Sequence, residues 1–366
     1  MNITLTSKVS ETARVLQIRG MFDIQQKQTE QVEIIDNIPD LSEKEWHIGL
    51  IVGASGTGKS TIAQKHFGTL LDPNVEWQNN ALIDSFAKEN TLKEIVAMLT
   101  SVGLSSPPTW LRPFNTLSTG EKFRANTARL LLEHQDFVAI DEFTSVVDRT
   151  VAQIASSSIA KTVRKRKQKL VAISCHYDIV DWLQPDWLYE PQSGQFLWRS
   201  LQQRPRIQAK LIKVHKEAWH LFARHHYLDH NLNATAQCYI ATVNDTPAVF
   251  CAILPLPHPH LKDAFRVSRI VTLPDFQGVG LGAKVLHELG SAYKAKGKTL
   301  YITTSHPTMI RSLNSNIEWR MNRKPSRVQP FGKTSKMKSQ SLSRNRITAS
   351  FSYCGKPNTI ASQLIG

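Results

Sequence analysis

The stretch IGLIVGASGTGKST, Ile48 to Thr61, joins an unbroken apolar run to a glycine-rich turn and then to Lys-Ser-Thr. The apolar run shows no alternation, so it predicts a strand buried on both faces. The turn fits G-x-x-x-x-G-K-[ST] between a strand and a helix. In that setting glycines let successive backbone N–H groups converge on a phosphate chain. The cradle takes in Gly53, Ser55, Gly56, Thr57, Gly58 and Lys59, and Ser60 and Thr61 open the helix. Lys59 is placed to bridge the β- and γ-phosphates of a nucleotide, and Ser60 to ligate Mg2+.

Two further buried-strand patterns follow, FVAIDE and LVAISC, with helical stretches between them. This alternation predicts an α/β domain. Asp141 and Glu142 close the first of these strands, where Asp141 can support the metal and Glu142 can orient the attacking water. Between cradle and carboxylates lies LSTGE, Leu117 to Glu121; beyond them come SVVD and the lone histidine of AISCH. This order resembles the ABC-type ATPases across roughly Met1 to Trp198. The resemblance implies that Ser118 and Gly120 contact the γ-phosphate of ATP bound to an opposite subunit, that Asp148 links the two sites and that His176 senses the γ-phosphate. It implies a head-to-tail homodimer sandwiching two ATP molecules. Thr119 and Glu121 stand where transport members usually have Gly and Gln, and the LSxGE form is similar to that of chromosome-maintenance and repair relatives. Gln78 and Asp84 both suit a Q-loop. Phe22 and Trp46 each suit adenine stacking or a core position.

A second glycine turn occurs in LPDFQGVGLGAKVL, Leu273 to Leu286. A dinucleotide-binding reading would require an acidic residue about 20 positions on, and the strand TLYITTSH that follows supplies none. The stretch instead resembles motif A of the GNAT acyltransferases, whose Q/R-x-x-G-x-G/A pattern is met by Gln277, Gly280 and Gly282. Glycines there let the chain pass close to a pyrophosphate, while the helix N-terminus supplies donors and a favourable dipole. The resemblance implies that Gln277, Gly278, Val279, Gly280, Leu281 and Gly282 hold acetyl-CoA or another acyl-CoA. It also implies that the thioester lies along the strand around Val271. The expected fold class is therefore α/β, a P-loop ABC-type ATPase domain over residues 1–200, followed after a basic linker at 201–213 by a mixed α+β GNAT acyltransferase domain over 214–366.

The acyl acceptor is less marked. Many GNAT enzymes use a tyrosine after the following strand as general acid, and TTSHPTMIRSLNSN has none. Ser305 and His306 stand nearest that position and can move protons. His226 and Tyr227, within HHYLDH, are further candidates on an expected helix, EAWHLFARHHYL. The HY element, VTLPDFQGVG and TSHP are similar in outline to phage Mom-like GNAT proteins, which modify adenine in DNA.

Composition bounds the partners. The chain has 366 residues and a formal charge of +15. From Trp319 onward there are ten Lys or Arg and no Asp or Glu, and KTVRKRKQK at Lys161 to Lys169 adds six more. Two such clusters suit nucleic acid, DNA or RNA, because each phosphate contact releases condensed counterions. No apolar run approaches the roughly 18 residues of a membrane span. Four scattered cysteines and no signal-peptide pattern predict a cytoplasmic protein without membrane partners. The expected function is ATP-coupled acyl transfer to a nucleobase. A nucleic-acid clamp of the repair-ATPase type and acyl transfer to a protein or small amine stand as alternatives.

Overall fold

The computed structural model describes residues 2–8, 11–22, 29–71, 75–199, 207–226, 230–327 and 347–365. In chain order the elements begin with β1 (Asn2–Lys8), α1 (Ala13–Phe22), β2 (Thr29–Ile35), β3 (Ile48–Val52), α2 (Lys59–Phe67), α3 (Leu92–Ser101) and α4 (Pro107–Trp110). Then come α5 (Thr119–Glu133), β4 (Phe137–Ile140), α6 (Arg149–Arg166), β5 (Lys169–Ser174), α7 (Ile179–Leu183), β6 (Trp187–Glu190) and β7 (Gln195–Trp198). The remainder is β8 (Ala209–Val214), α8 (His220–Ala223), β9 (Gln237–Val243), β10 (Thr246–Pro255), β11 (Ala264–Thr272), α9 (Leu281–Ala295), β12 (Thr299–Thr304), α10 (Pro307–Asn314), β13 (Trp319–Arg327) and β14 (Ile347–Tyr353).

Both expected architectures are present, but the chain divides differently from a cut near residue 200. One compact unit takes Met1–Val75, Leu130–Val147 and Ala160–Arg204; the other takes Glu76–Arg129, Asp148–Ile159 and Pro205–Gly366. The LSTGE segment thus belongs with the second glycine turn rather than with the first. Part of the expected linker, from Ala209, is the edge strand β8.

In the first unit the sheet order is β4-β5-β3-β6-β7, parallel except for the last pair. β3 is buried at every residue, as its unbroken apolar run predicts. Gly49 has to lack a side chain: a Cβ there would lie 2.0 Å from the Trp187 ring of the neighbouring strand. Trp46 packs edge-on against the same ring and is a buried core residue, which settles it as core rather than an adenine-stacking face. The Phe22 side chain lies outside the described ones.

In the second unit seven strands run β13-β14-β12-β11-β10-β9-β8. β9 and β10 form a hairpin; Asn244 and Asp245, with φ of 48° and 58°, make its left-handed turn. All pairs are antiparallel except β11 and β12. That parallel pair is matched only at Ala264–Thr299, Phe265–Leu300 and Arg266–Tyr301, although both strands continue. Past Arg266 their ladder stops. β11 also carries an extra residue, Ser268, opposite the Ala252–Ile253 step of β10, a bulge of the kind that bends a strand. Within EAWHLFARHHYL the described residues form a 3-10 turn at Lys216–Trp219 and then the short α8, with Trp219 and Phe222 buried. β13, unanticipated in so basic a stretch, is an edge strand, where exposed Arg and Lys are well tolerated.

Candidate functional site

Parallel strands bring their carboxyl ends to one edge, and ligands of such sheets gather there. In the first unit Val52 pairs with Ser174 and Ile140 with Ala172, so the turns after β3, β4 and β5 share that edge. Backbone and side chains tie them together. Gly53 N donates to Ser174 O at 3.3 Å, Phe143 N to Ile173 O at 2.8 Å and Ser174 Oγ to Phe143 O at 3.0 Å. His176 N donates to Ser174 Oγ at 3.2 Å. The turns that carry Gly53, Asp141, Glu142 and His176 therefore share one edge of the sheet.

The cradle itself is built from left-handed glycines, Gly56 at φ 79° and Gly58 at φ 84°. Gly58 is the N-cap of α2 and no side chain caps that helix, so its first N–H groups are left for another acceptor. Thr57 Oγ1 and Lys59 Nζ both donate to Ala54 O, at 2.9 and 2.8 Å. Lys59 is buried, with its ammonium curled over the turn it would release to meet phosphate. Ser55, Gly56 and Ser60 are exposed and Thr61 half-buried. An uncapped helix start, a buried ammonium and glycine-only torsions together fit a nucleotide triphosphate. Ser60 and Asp141 are the residues that would hold its Mg2+. Glu142 is exposed, at φ 48°, with its N–H donating to Asp141 Oδ1 at 2.9 Å.

LSTGE has a structural logic that the sequence already carries. Ser118 N donates to Glu121 Oε2 at 2.9 Å and Glu121 N to Ser118 Oγ at 3.3 Å, a capping box opening α5. Glu121 Oε1 also accepts from Thr109 Oγ1. The S-x-x-E spacing signals this box directly. Asp148 caps α6 by accepting from Val151 N at 3.0 Å. Gly120 is buried; a Cβ there would lie 2.7 Å from Asp275 Oδ1.

The second glycine turn repeats the first. Gly278 has φ 93°, and Gly280, at φ 82° and ψ 14°, is the uncapped N-cap of α9. Val279 and Leu281 turn their side chains into the core, and Val271 is buried beside Trp219 and Phe250. Gly282 is closely approached, its Cβ position 3.0 Å from Thr272 Oγ1. A Cβ on Gly280 would meet nothing within 4 Å, so this end of the turn is open. At the other end the Gln277 side chain is already engaged. Gln277 Oε1 accepts from Ser105 N at 2.6 Å and Ser105 Oγ at 2.8 Å, while its Nε2 donates to Thr272 O at 2.9 Å. A Cβ on Gly278 would lie 2.4 Å from Ser158 Oγ and 2.8 Å from Gly103 Cα. Gln277 thus braces the turn with its side chain. The Gly280–Gly282 end, with the unladdered part of β11 beside it, fits the diphosphate of an acyl-CoA.

His306, at the end of β12, places Nε2 3.0 Å from Ser105 O. A carbonyl only accepts, so Nε2 bears the proton and Nδ1 the lone pair when the ring is neutral. Burial holds its basicity below the ordinary imidazole range, against the Ser105 contact and aided by Arg311. Ser305 is half-buried beside it. His226 is buried with its ring edge-on to Trp219 at 5.6 Å. Tyr227 lies outside the described residues. His225, which the sequence did not single out, has its Nε2 accepting from Arg224 Nε at 3.0 Å, and burial lowers its basicity, with Arg224 and Arg112 adding to that and Glu121 opposing it.

Of the basic clusters, Arg164 is engaged by Asp186 at 3.1 Å and Lys169 sits over the Trp46 ring, leaving Lys161, Lys165 and Lys167 exposed on α6 and after it. Arg320, Lys324 and Arg327 are exposed on β13; residues 328–346 lie outside the described residues. Among the described residues no helix is long and apolar enough to cross a membrane, and no group of three or more His, Cys, Asp or Glu is placed to hold a metal.

No family model matches the chain, and no curated relative does. Among solved structures, cbiO1 from Clostridium perfringens, part of the ABC transporter complex cbiONQ, is 14% identical over 46% of this chain and 87% of that one, with a TM-score of 0.37. An acetyltransferase of Bacillus subtilis in complex with CoA is 12% identical over 41% of this chain and 99% of its own, with a TM-score of 0.30. The ribosomal-protein-S18-alanine N-acetyltransferase of Escherichia coli is 17% identical over 41% and 96%, also with a TM-score of 0.30. These are remote likenesses; what the two cradles can do follows from their own geometry.

Proposed function

We propose that the protein is an ATP-hydrolysing, coenzyme A-dependent acyltransferase that modifies a nucleobase in DNA or RNA, with ATP-driven homodimerisation coupled to engagement of the nucleic acid. The observation that carries the acyltransferase half is the uncapped, left-handed glycine start of α9 beside a β11 that has lost its β12 ladder. An acyl-CoA supplies an activated thioester carbonyl when bound. Gly280, Leu281 and Gly282 would hold its diphosphate through backbone N–H groups, and the unladdered backbone near Val271 would polarise the carbonyl. His306 Nδ1 is the proton acceptor of choice for an attacking base amine, its neutral form being favoured by burial.

In the ATPase half Glu142 would orient water, Lys59 and the cradle N–H groups would bear the phosphate charge, and Ser60 with Asp141 would hold Mg2+. Nucleic acid is supported by the net charge of +15 and by exposed cations on α6 and β13. Reaching a base amine inside a duplex costs a few kcal/mol, and ATP-driven closure offers a source for it.

Mass analysis of nucleosides from cells expressing the protein tests the whole reading. A new modified base, abolished by Gly280→Val and by Glu142→Gln, is expected. The Gln277 side chain, spent on Ser105 and Thr272, favours one other reading, a nucleic-acid clamp in which the second fold does no chemistry. That reading requires ATP-dependent retention on nucleic acid with no new base.

A further inference from the structure

Arg124 lies on α5, three residues beyond Glu121 of the LSTGE capping box, and is wholly buried. Its two terminal nitrogens donate to the carbonyls of Pro274 and Asp275, the second at 2.7 Å. These residues form the 3-10 turn that leads into Gln277. Its Nε has no acceptor among the described residues. Burial brings the guanidinium down to about 10, opposed by Asp275, Glu121 and Asp148, so it stays charged at neutral pH. One buried cation therefore faces a carboxylate from LSTGE, one from the cap of α6 and one from the turn before the coenzyme loop. A second contact, Ser105 to Gln277, braces the same loop three residues further on.

We propose that Arg124, with Ser105, is a positioning residue for the coenzyme loop, and that the loop's affinity for coenzyme A follows the state of the LSTGE helix. This rests on the acyltransferase reading above. The physical reason is stiffness. A helical turn does not stretch, so a displacement at Ser118 and Gly120 when they meet a nucleotide is passed to Arg124. Arg124 grips two successive carbonyls in a fixed fork, so the Pro274–Asp275 turn moves with it. The Asp275 carboxylate, pressed into the space that a Gly120 side chain would fill, adds a direct contact with LSTGE itself. Coupling of this kind is reciprocal, so coenzyme must alter nucleotide affinity by the same factor.

The test is calorimetric titration of coenzyme A into the full chain, with and without a non-hydrolysable ATP analogue and Mg2+. The analogue is expected to change the coenzyme A Kd by about 5-fold or more. In Arg124→Lys, which keeps the charge but loses the fork, that ratio should fall towards one while analogue binding persists. Asp275→Asn, which leaves both carbonyl contacts in place and is the milder change should Arg124→Lys not fold, should give an intermediate ratio. Coenzyme A binding with the same Kd in both nucleotide states overturns the inference and leaves the acyltransferase reading standing. No coenzyme A binding in either state overturns both.

Discussion

Gly58 and Gly280 hold the same backbone conformation, φ 84° and ψ 13° against φ 82° and ψ 14°, each as the uncapped first residue of a helix. Both are preceded two residues earlier by another left-handed glycine, Gly56 and Gly278. The shared torsions aim helix N–H groups at an external anion in each case. Their surroundings differ. A side chain on Gly58 would collide with Ile34 at 2.6 Å, whereas Gly280 faces open space. Alanine at either position takes on left-handed strain of roughly 1–2 kcal/mol, but only Gly58→Ala adds a collision. Thermal unfolding should therefore fall further for Gly58→Ala than for Gly280→Ala. Gly280→Ala should keep the fold yet weaken coenzyme A by about tenfold, read by titration of the full chain, because a methyl group enters the space a diphosphate would take.

Glu142 gives a sharper separation of binding from chemistry. It is exposed and contributes no core contact, and its backbone is held by Asp141 rather than by its own carboxylate. Glu142→Gln should leave ATP affinity within a few-fold and lower steady-state hydrolysis by about 10²-fold or more, the usual worth of a positioned base. Lys59→Ala should instead abolish ATP binding. Equal loss of affinity in both variants would count against the roles assigned.

Much of this was legible in the sequence because the signals are local. A glycine turn between an apolar run and a helix fixes its own torsions, and Asn244-Asp245 fixes its hairpin. The placement of LSTGE beside the second glycine turn was not legible, since it depends on Arg124 reaching Pro274 across 150 positions of chain. Nor was the bracing of Gln277 by Ser105, in which one of the two donors is a backbone N–H that any residue but proline supplies. The ring contact of His226 with Trp219 was not legible either, since it joins the residue to a position seven places back along a helix shorter than expected. β13 was hidden by its charge, as edge strands often are.

The capping box makes the Glu of LSTGE a stability determinant as well as a candidate signature residue. Glu121 is buried and satisfies Ser118 N and Thr109 Oγ1. Glu121→Ala strands both donors and should cost about 1–3 kcal/mol, seen in denaturant unfolding. Glu121→Gln keeps an acceptor for Ser118 N and should cost less than half as much. A similar loss in both would mean that the charge beside Arg124, rather than the cap, is what matters.

His306 predicts the pH response of the second unit. Its folded-state basicity is held below the ordinary value by burial first, with Arg311 adding to it and the Ser105 carbonyl opposing it. The folded protein therefore resists a proton that the unfolded chain accepts. The stability contribution is intact above the ordinary imidazole range, near pH 6.5. It is lost as pH falls from there through the lowered folded value, with a slope of up to about 1.4 kcal/mol per pH unit. His306→Gln keeps a donor for Ser105 O and removes the titration, so the wild-type and variant unfolding curves should differ in their pH dependence between pH 7 and 5, with the variant flatter. The same substitution removes the Nδ1 lone pair. If that atom accepts the proton of the attacking amine, base modification should fall by about 10²-fold in Gln even at pH 8, where stability is unaffected. Loss of modification that tracks only the melting temperature would reduce His306 to a packing residue.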